Sequence, residues 1–305
     1  MERQVIPRIL ELFEKRNIHA TWATVGLLFS DQKPDILKVL PSIRPAYDND
    51  KLSPYPYIES GVWGDDEQSD PMHYGKSIVS MIRETKHQTV ASHTFSHYYC
   101  MEKGQTKDQF KADLMAAVQI ADRHGIKLNS LVFPRNQCNE DYLPLLGELG
   151  ITAYRGNPAH SLYHQGYSTE DPFYKRIFRL IDTYLNMTGF HCYSLDQVRK
   201  QASVNLPASH FLRPYSKRLK AVDRFRLKRI RDAMSYAAKH GLVYHLWWHP
   251  YNFASHPVEN LTFLEAVIDH YEHLRAKYGM ESMNMEELQE EVWGRSRTLR
   301  KTYAR

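Results

Sequence analysis

Thr89-Val90-Ala91-Ser92-His93-Thr94-Phe95-Ser96-His97 is the stretch on which the reading of this chain turns. Thr89–Ser92 is a short apolar run with β-branched residues. It predicts a strand and puts His93 at that strand's carboxyl end. Parallel sheets and barrels assemble their active sites at that end. His97 follows one turn later, in a Ser/Thr-flanked turn or helix start. Two imidazoles can then converge on one point, as a divalent metal requires. The spacing alone is weak, because H-x-x-x-H recurs at His160/His164 and His245/His249 in a chain with 16 histidines. The plain alternative is a pair of polar histidines capping a helix. No Glu follows His93, so the H-E-x-x-H metalloprotease pattern is excluded.

Outward from this stretch, helical and strand-like segments alternate. Val5, Ile6, Ile9, Leu10, Leu12 and Phe13 form a helical stripe ending near Asn17, and Ile18–Gly26 reads as a strand. Residues 41–75 hold five prolines and Asp65-Asp66-Glu67, which predicts a long covering loop. Ser77–Arg83 predicts a helix, Lys107–His124 an amphipathic helix, Leu128–Phe133 a strand, Leu143–Leu149 a helix and Ala153–Arg155 a short strand. Residues 157–215 give no clear pattern. Phe225–His240 predicts a helix, Leu242–Trp248 a strand, Leu261–Lys277 a helix and Glu286–Glu291 a last helix. Repeated β–α units over this length indicate an α/β fold, either a parallel barrel or a doubly wound sheet. They form one domain over residues 1–294, with a basic tail at 295–305 that is expected to fray.

Composition narrows the classes. The chain of 305 residues is 42% hydrophobic and 25% charged, with a formal net charge of +5, which permits an anionic partner without requiring one. Cys100, Cys138 and Cys192 are scattered and odd in number, which argues against a disulfide framework and suits a reducing compartment. No apolar run is long enough to span a bilayer and no apolar signal region opens the chain, so a cytoplasmic location is the expectation. No phosphate-binding glycine loop and no nucleic-acid module is present.

Three segments, in order, resemble the polysaccharide deacetylases, the NodB-homology family. Ser92-His93-Thr94-Phe95-Ser96-His97 is similar to the family's H-[ST]-x-x-H motif. Phe133-Pro134-Arg135 looks like a variant of its R-x-P motif with the order changed. Leu246-Trp247-Trp248-His249 fits its L-x-x-H motif. The resemblance implies a distorted (β/α) barrel and metal-dependent hydrolysis of an acetamide on a sugar or glycan. It implies a divalent metal on His93 and His97, zinc first, with cobalt or manganese as alternatives. It also implies His249 as the acid for the leaving amine, Arg135 as the residue orienting a catalytic carboxylate, and Asp182 as the residue tuning the histidine. Leu246, Arg155 and Trp248 would bind substrate, Leu246 at the acetyl methyl, and Trp247 as well as Trp248 could stack on a sugar face. Each has a plainer alternative: core packing for Leu246 and the tryptophans, a backbone bond for His249, and surface pairing for Arg135.

One departure matters. The family's first motif is a strand ending in Asp residues that supply the catalytic base and the third metal ligand. Here Met1 leads straight into the helix expected after that strand. The first strand is therefore expected to be missing, through a shortened chain or a degenerate form. Asp48, Asp50, Asp65 or Asp66 could substitute, though no motif supports them. Weak or absent zinc binding is the expectation, since catalytic zinc usually has three protein ligands. A carbohydrate-binding homologue without catalysis is the rival reading.

Arg213–Arg231 is rich in Lys and Arg. It predicts a solvated helix face over buried Val222, Phe225, Ile230 and Ala233. Contact with an anionic membrane surface or a lipid-linked glycan is the alternative.

Overall fold

The computed structural model describes residues 2–163, 172–198 and 202–303, with side chains through Gly294. Helix α1 (Glu2–Arg16) buries Val5, Ile9, Leu10 and Phe13, the inner part of the predicted stripe. Strand β1 (Ala20–Thr24) follows. The long proline-rich segment is preceded by α2 (Lys33–Leu37) and contains α3 (Tyr55–Ser60). It also buries Tyr47, Tyr55, Trp63 and Tyr74, so it packs onto the core as well as covering it. Next come α4 (Lys76–Glu84), β2 (Gln88–Ser92), α5 (Lys107–Arg123), β3 (Ser130–Val132), α6 (Leu143–Glu148) and β4 (Ala153–Arg155).

The unassigned region contains α7 (Phe173–Asp182), β5 (Val204–Asn205) and β6 (His210–Phe211). The chain ends with α8 (Asp223–His240), β7 (Leu246–Trp247), α9 (Pro257–Tyr278) and α10 (Met285–Tyr303). Two boundaries differ from expectation. Only two residues of the predicted strand Leu242–Trp248 pair as β7, because Val243 instead bridges Tyr193 in the antiparallel sense. The helix predicted to stop at Glu291 continues through Tyr303, into the segment expected to fray.

The strands β1 to β5 form one parallel sheet in sequence order, and β6 pairs with β7, also parallel. Residues 204–212 link the two. Leu206 and Ala208 donate to Tyr154 and Gly156 on one side, while Ser209, His210 and Leu212 donate to His245 and Trp247 on the other. This is a mixed α/β fold of the (β/α) barrel-like kind; among the described residues the strands do not close into a continuous ring.

Register places the chemistry. Thr24 pairs with Ser92, Ser92 with Leu131, and Val132 with Arg155. His93, one residue past β2, therefore lies in the same terminal row as Val132 and Arg155. Gly26 closes β1 where a side chain has no room: a Cβ there would lie 2.8 Å from the Phe95 ring and 3.3 Å from the Ala117 Cα. This close approach packs the histidine turn against α5.

Candidate active site

The turn after β2 is held in an uncommon shape. Thr94 and His97 have positive φ, 63° and 60°, a left-handed conformation that non-glycine residues adopt rarely. Arg135 and Asn136, in the turn after β3, share it at 52° and 56°. Such strain persists only when surrounding contacts impose it, and it concentrates at functional sites.

Asp113 imposes it on the first turn. Fully buried on α5, it accepts the Phe95 N–H at 2.8 Å and the Ser96 N–H at 3.3 Å; the Ser96 hydroxyl donates to its other oxygen. The Tyr55 hydroxyl adds a fourth contact at 3.4 Å. Burial pushes the Asp113 carboxyl up to about 6, against these hydrogen bonds, which favour its charge. Sequence reasoning missed this residue. Its signal was an Asp on the apolar face of an amphipathic helix, beside Phe110, Leu114 and Ala117.

His93 Nδ1 donates to the Val132 carbonyl oxygen at 2.7 Å, and the His93 backbone N–H donates to Thr24 O. A carbonyl can only accept, so the neutral ring carries its proton on Nδ1 and leaves Nε2 as a free donor atom. The His97 ring lies 4.8 Å away between centroids, and its Nδ1 is 3.1 Å from the Tyr99 hydroxyl. Tyr99 is braced through its backbone N–H by the hydroxyl of Tyr47, from the covering segment. Burial, then His97, Arg155 and His249, lowers His93 to about 3. Burial, then Arg135 and His249, lowers His97 to about 4. Both rings are thus neutral at physiological pH, the state that binds metals.

His249 follows β7, so its carboxyl end meets the same region. Its ring contacts Phe211, Trp247 and Tyr251, and it is close enough to depress both other histidines. Burial, then Arg155, lowers its own pKa. Arg155 is half-buried, stacks over the Trp247 ring at 4.1 Å and donates to Asn136 Oδ1 at 2.6 Å. No carboxylate pairs with it among the described residues, and burial alone brings its pKa down to about 9. Arg135 lies over Tyr99 at 4.2 Å, with Glu102 at 3.6 Å. Beside Arg155 is a cavity of about 40 Å³ lined by Asn136, Asn157, Tyr163, Phe211 and Trp247. A larger one, about 340 Å³, lies by Tyr154, Tyr193 and Asn205 and includes none of the three histidines. Tyr154 and Arg155 are adjacent on β4 and point to opposite faces. Neither cavity is lined by His93, His97 or His249, so volume alone does not mark where they meet.

The structure thus brings together His93, His97, His249, Arg135 and Arg155. It separates other expected members. Trp248 is packed against Phe13, edge to face at 6.1 Å, and stacked on Phe253 at 5.8 Å. Adjacent strand residues face opposite ways, so Trp247 is the ring that joins the site. Leu246 packs against the main core. Asp182 does not reach His249. Its oxygens accept from Tyr163 (2.6 Å), from Thr188 Oγ1 (2.8 Å) and from the Met187 and Thr188 N–H groups, with Arg229 at 3.7 Å. Burial opposes its charge, but these donors and Arg229 hold its pKa below the ordinary value. The histidine it approaches is His191, through Thr188. His164, partner of His160 in the second H-x-x-x-H interval, lies outside the described residues.

The loop aspartates are occupied elsewhere or exposed. Asp65 faces solvent near Lys33, Asp66 accepts from Ser69, and Asp48 and Asp50 are exposed. Among the described residues no third imidazole, thiol or carboxylate joins His93 and His97 within ligating range. Two imidazoles fall short of the three protein ligands usual for catalytic zinc. The described donors therefore do not make a complete catalytic metal centre.

The basic stretch turns partly inward. Arg226 is buried, pairs with Asp223 at 2.8 Å and lies over Phe263 at 3.8 Å. Arg229 is buried beside Asp182, and Arg231 donates to Ala266 O. Phe225, expected beneath the helix, is exposed, because α8 presents Ile230, Ala233, Met234 and Ala237 to the core instead.

The family model for polysaccharide deacetylases matches residues 1–154, half of the chain. The chain belongs to the polysaccharide deacetylase family. Its fold is similar to the crystal structure of a protein from Mycobacterium smegmatis assigned as a polysaccharide deacetylase. The TM-score is 0.56 at 14% identity, covering 95% of this chain and 77% of that one. At that identity the likeness speaks for the fold. No curated protein matches the sequence significantly.

Proposed function

We propose that the chain removes an acetyl group from an N-acetylated sugar or glycan at the carboxyl ends of its strands. The observation that supports this best is geometric: His93, with His97 beside it, shares a strand-end row with Arg155, and His249 and Arg155 both pack on the Trp247 ring. In the net reaction, water adds to the acetamide carbonyl, the C–N bond breaks, and acetate and a free amine leave. Arg155 is a preorganised cation with no carboxylate partner among the described residues, so it suits the developing oxyanion. Trp247, already a platform for Arg155, suits a sugar face. His249 protonates the departing nitrogen. Its lowered pKa means the resting ring is neutral, so it first takes up a proton, such as the one released by the attacking water.

A divalent ion, zinc first, is the expected occupant of the His93/His97 pair, and it needs a further ligand there. This shortfall favours a second reading, carbohydrate binding without turnover. Contact with an anionic surface would rest on exposed Lys217, Arg218, Lys220, Arg224 and Lys228. Acetate release from N-acetylated hexosamine oligosaccharides, with zinc or cobalt added, separates the readings. Release abolished by His249→Ala supports deacetylation. Oligosaccharide binding without release supports the second reading, and neither binding nor release overturns both.

A further inference from the structure

We propose a divalent-metal site, separate from the His93/His97 pair, formed by His19, His87 and Glu287 at the amino ends of β1 and β2. The parallel register explains how two of these meet. Ala20 pairs with Gln88, so the residues just before them, His19 and His87, fall side by side. Their rings stack 3.9 Å apart and within 4° of parallel. His87 holds its place with a positive φ of 63°. The third residue comes from the far end of the sequence. Glu287, in the first turn of α10, meets His19 Nδ1 with both carboxylate oxygens, at 2.9 and 2.8 Å.

This carboxylate is positioned before any ion arrives. The Asn284 N–H donates to Glu287 Oε2 at 2.9 Å, while Asn284 Oδ1 accepts the N–H groups of Glu286 and Glu287. The helix start is tied to the strands as well. Met285 N–H donates to Thr21 Oγ1 at 2.8 Å, and the His19 N–H donates to Ser282 Oγ at 2.9 Å. Three segments, remote in sequence, thus deliver two imidazoles and one carboxylate to one point.

The donor atoms lie within 4.8 Å of one another. Bonds of about 2.0–2.1 Å to a tetrahedral zinc-class ion put donors about 3.4 Å apart. Turning the exposed His87 ring about its side-chain bonds supplies the closure. His₂Glu is a donor set that zinc uses, and nitrogen-rich sites favour zinc, nickel or cobalt over magnesium or calcium. Both histidines precede strands that run about 16 Å before the His93 end, at the usual rise per residue. The ion would therefore clamp α10 onto the sheet, far from the acetyl-transfer region.

The test uses the full chain carrying His93→Ala and His97→Ala, so that the first pair cannot bind. Zinc titration by calorimetry should still give one site, with a zinc-dependent rise in melting temperature. Adding Glu287→Gln, which can still accept from Asn284, should weaken binding by roughly tenfold or more. Adding His87→Asn, which tolerates the left-handed backbone, should do the same. Circular dichroism in the absence of metal checks that each variant folds. Cobalt should give the intense visible bands of a four-coordinate site. No zinc binding in the double variant, or binding unchanged by both further substitutions, would overturn the proposal.

Discussion

His93 Nδ1 and the Val132 carbonyl oxygen, 2.7 Å apart, join the turn after β2 to the end of β3. That bond fixes the ring's tautomer and leaves Nε2 without a proton in the neutral ring. It ties the ring to Val132, whose pairing with Arg155 continues the same terminal row.

Asp113 holds the neighbouring turn through two backbone N–H groups and a hydroxyl. We predict that Asp113→Ala lowers stability by about 2–4 kcal/mol, because it leaves buried donors unpaired. Urea unfolding measures this. A loss below about 1 kcal/mol would show that the turn holds itself.

The two adjacent tryptophans should behave differently. Trp248→Ala removes a ring packed between Phe13 and Phe253 and should cost about 3–5 kcal/mol of stability. Trp247→Ala should cost less stability and weaken oligosaccharide binding, since it removes the platform under Arg155. Melting temperatures and binding titrations on both variants check this. Equal effects on both measures would contradict the assigned facing.

Arg155 depresses His249 by its charge. Arg155→Met should therefore raise the His249 pKa, which histidine-resolved NMR titration reads directly. An unchanged or lower value would mean that the two side chains are not neighbours in solution.

Acid should destabilise the fold through His210 and His245, which burial first lowers to about 3 and about 4. In the unfolded chain they charge near 6.5. Between those values the unfolded state holds more protons, so stability is full above pH 6.5 and falls as the pH drops towards 4. The slope is at most about 1.4 kcal/mol per pH unit for each ring. A flat stability profile from pH 6.5 to 4.5 would contradict their burial as neutral groups.

Some of this was legible from residues alone. Thr89–Ser92 announced a strand by composition, and a parallel strand's carboxyl end gave His93 its meaning. Three motifs in order supplied Arg135 and His249. Asp113 escaped because its partners lie 17 and 18 positions away, in a turn whose left-handed shape no local pattern declares. Trp247 and Trp248 were confused because only two residues pair as β7, too few for alternation to show which side faces inward. Asp182 was placed by analogy of position, and its true neighbours, Tyr163 and Thr188, come from the region with no periodic signal. The inward turn of Arg226 and Arg229 was hidden because charge runs usually mark solvated faces.

The central claim is that His93, His97 and His249 form one site for an N-acetylated sugar. Histidine-selective NMR during titration with an N-acetylated hexosamine oligosaccharide tests it most directly. The account predicts saturable shifts of the His93, His97 and His249 imidazole signals, with those of His19 and His87 unmoved. Shifts confined to other histidines, or none at saturating oligosaccharide, would contradict it.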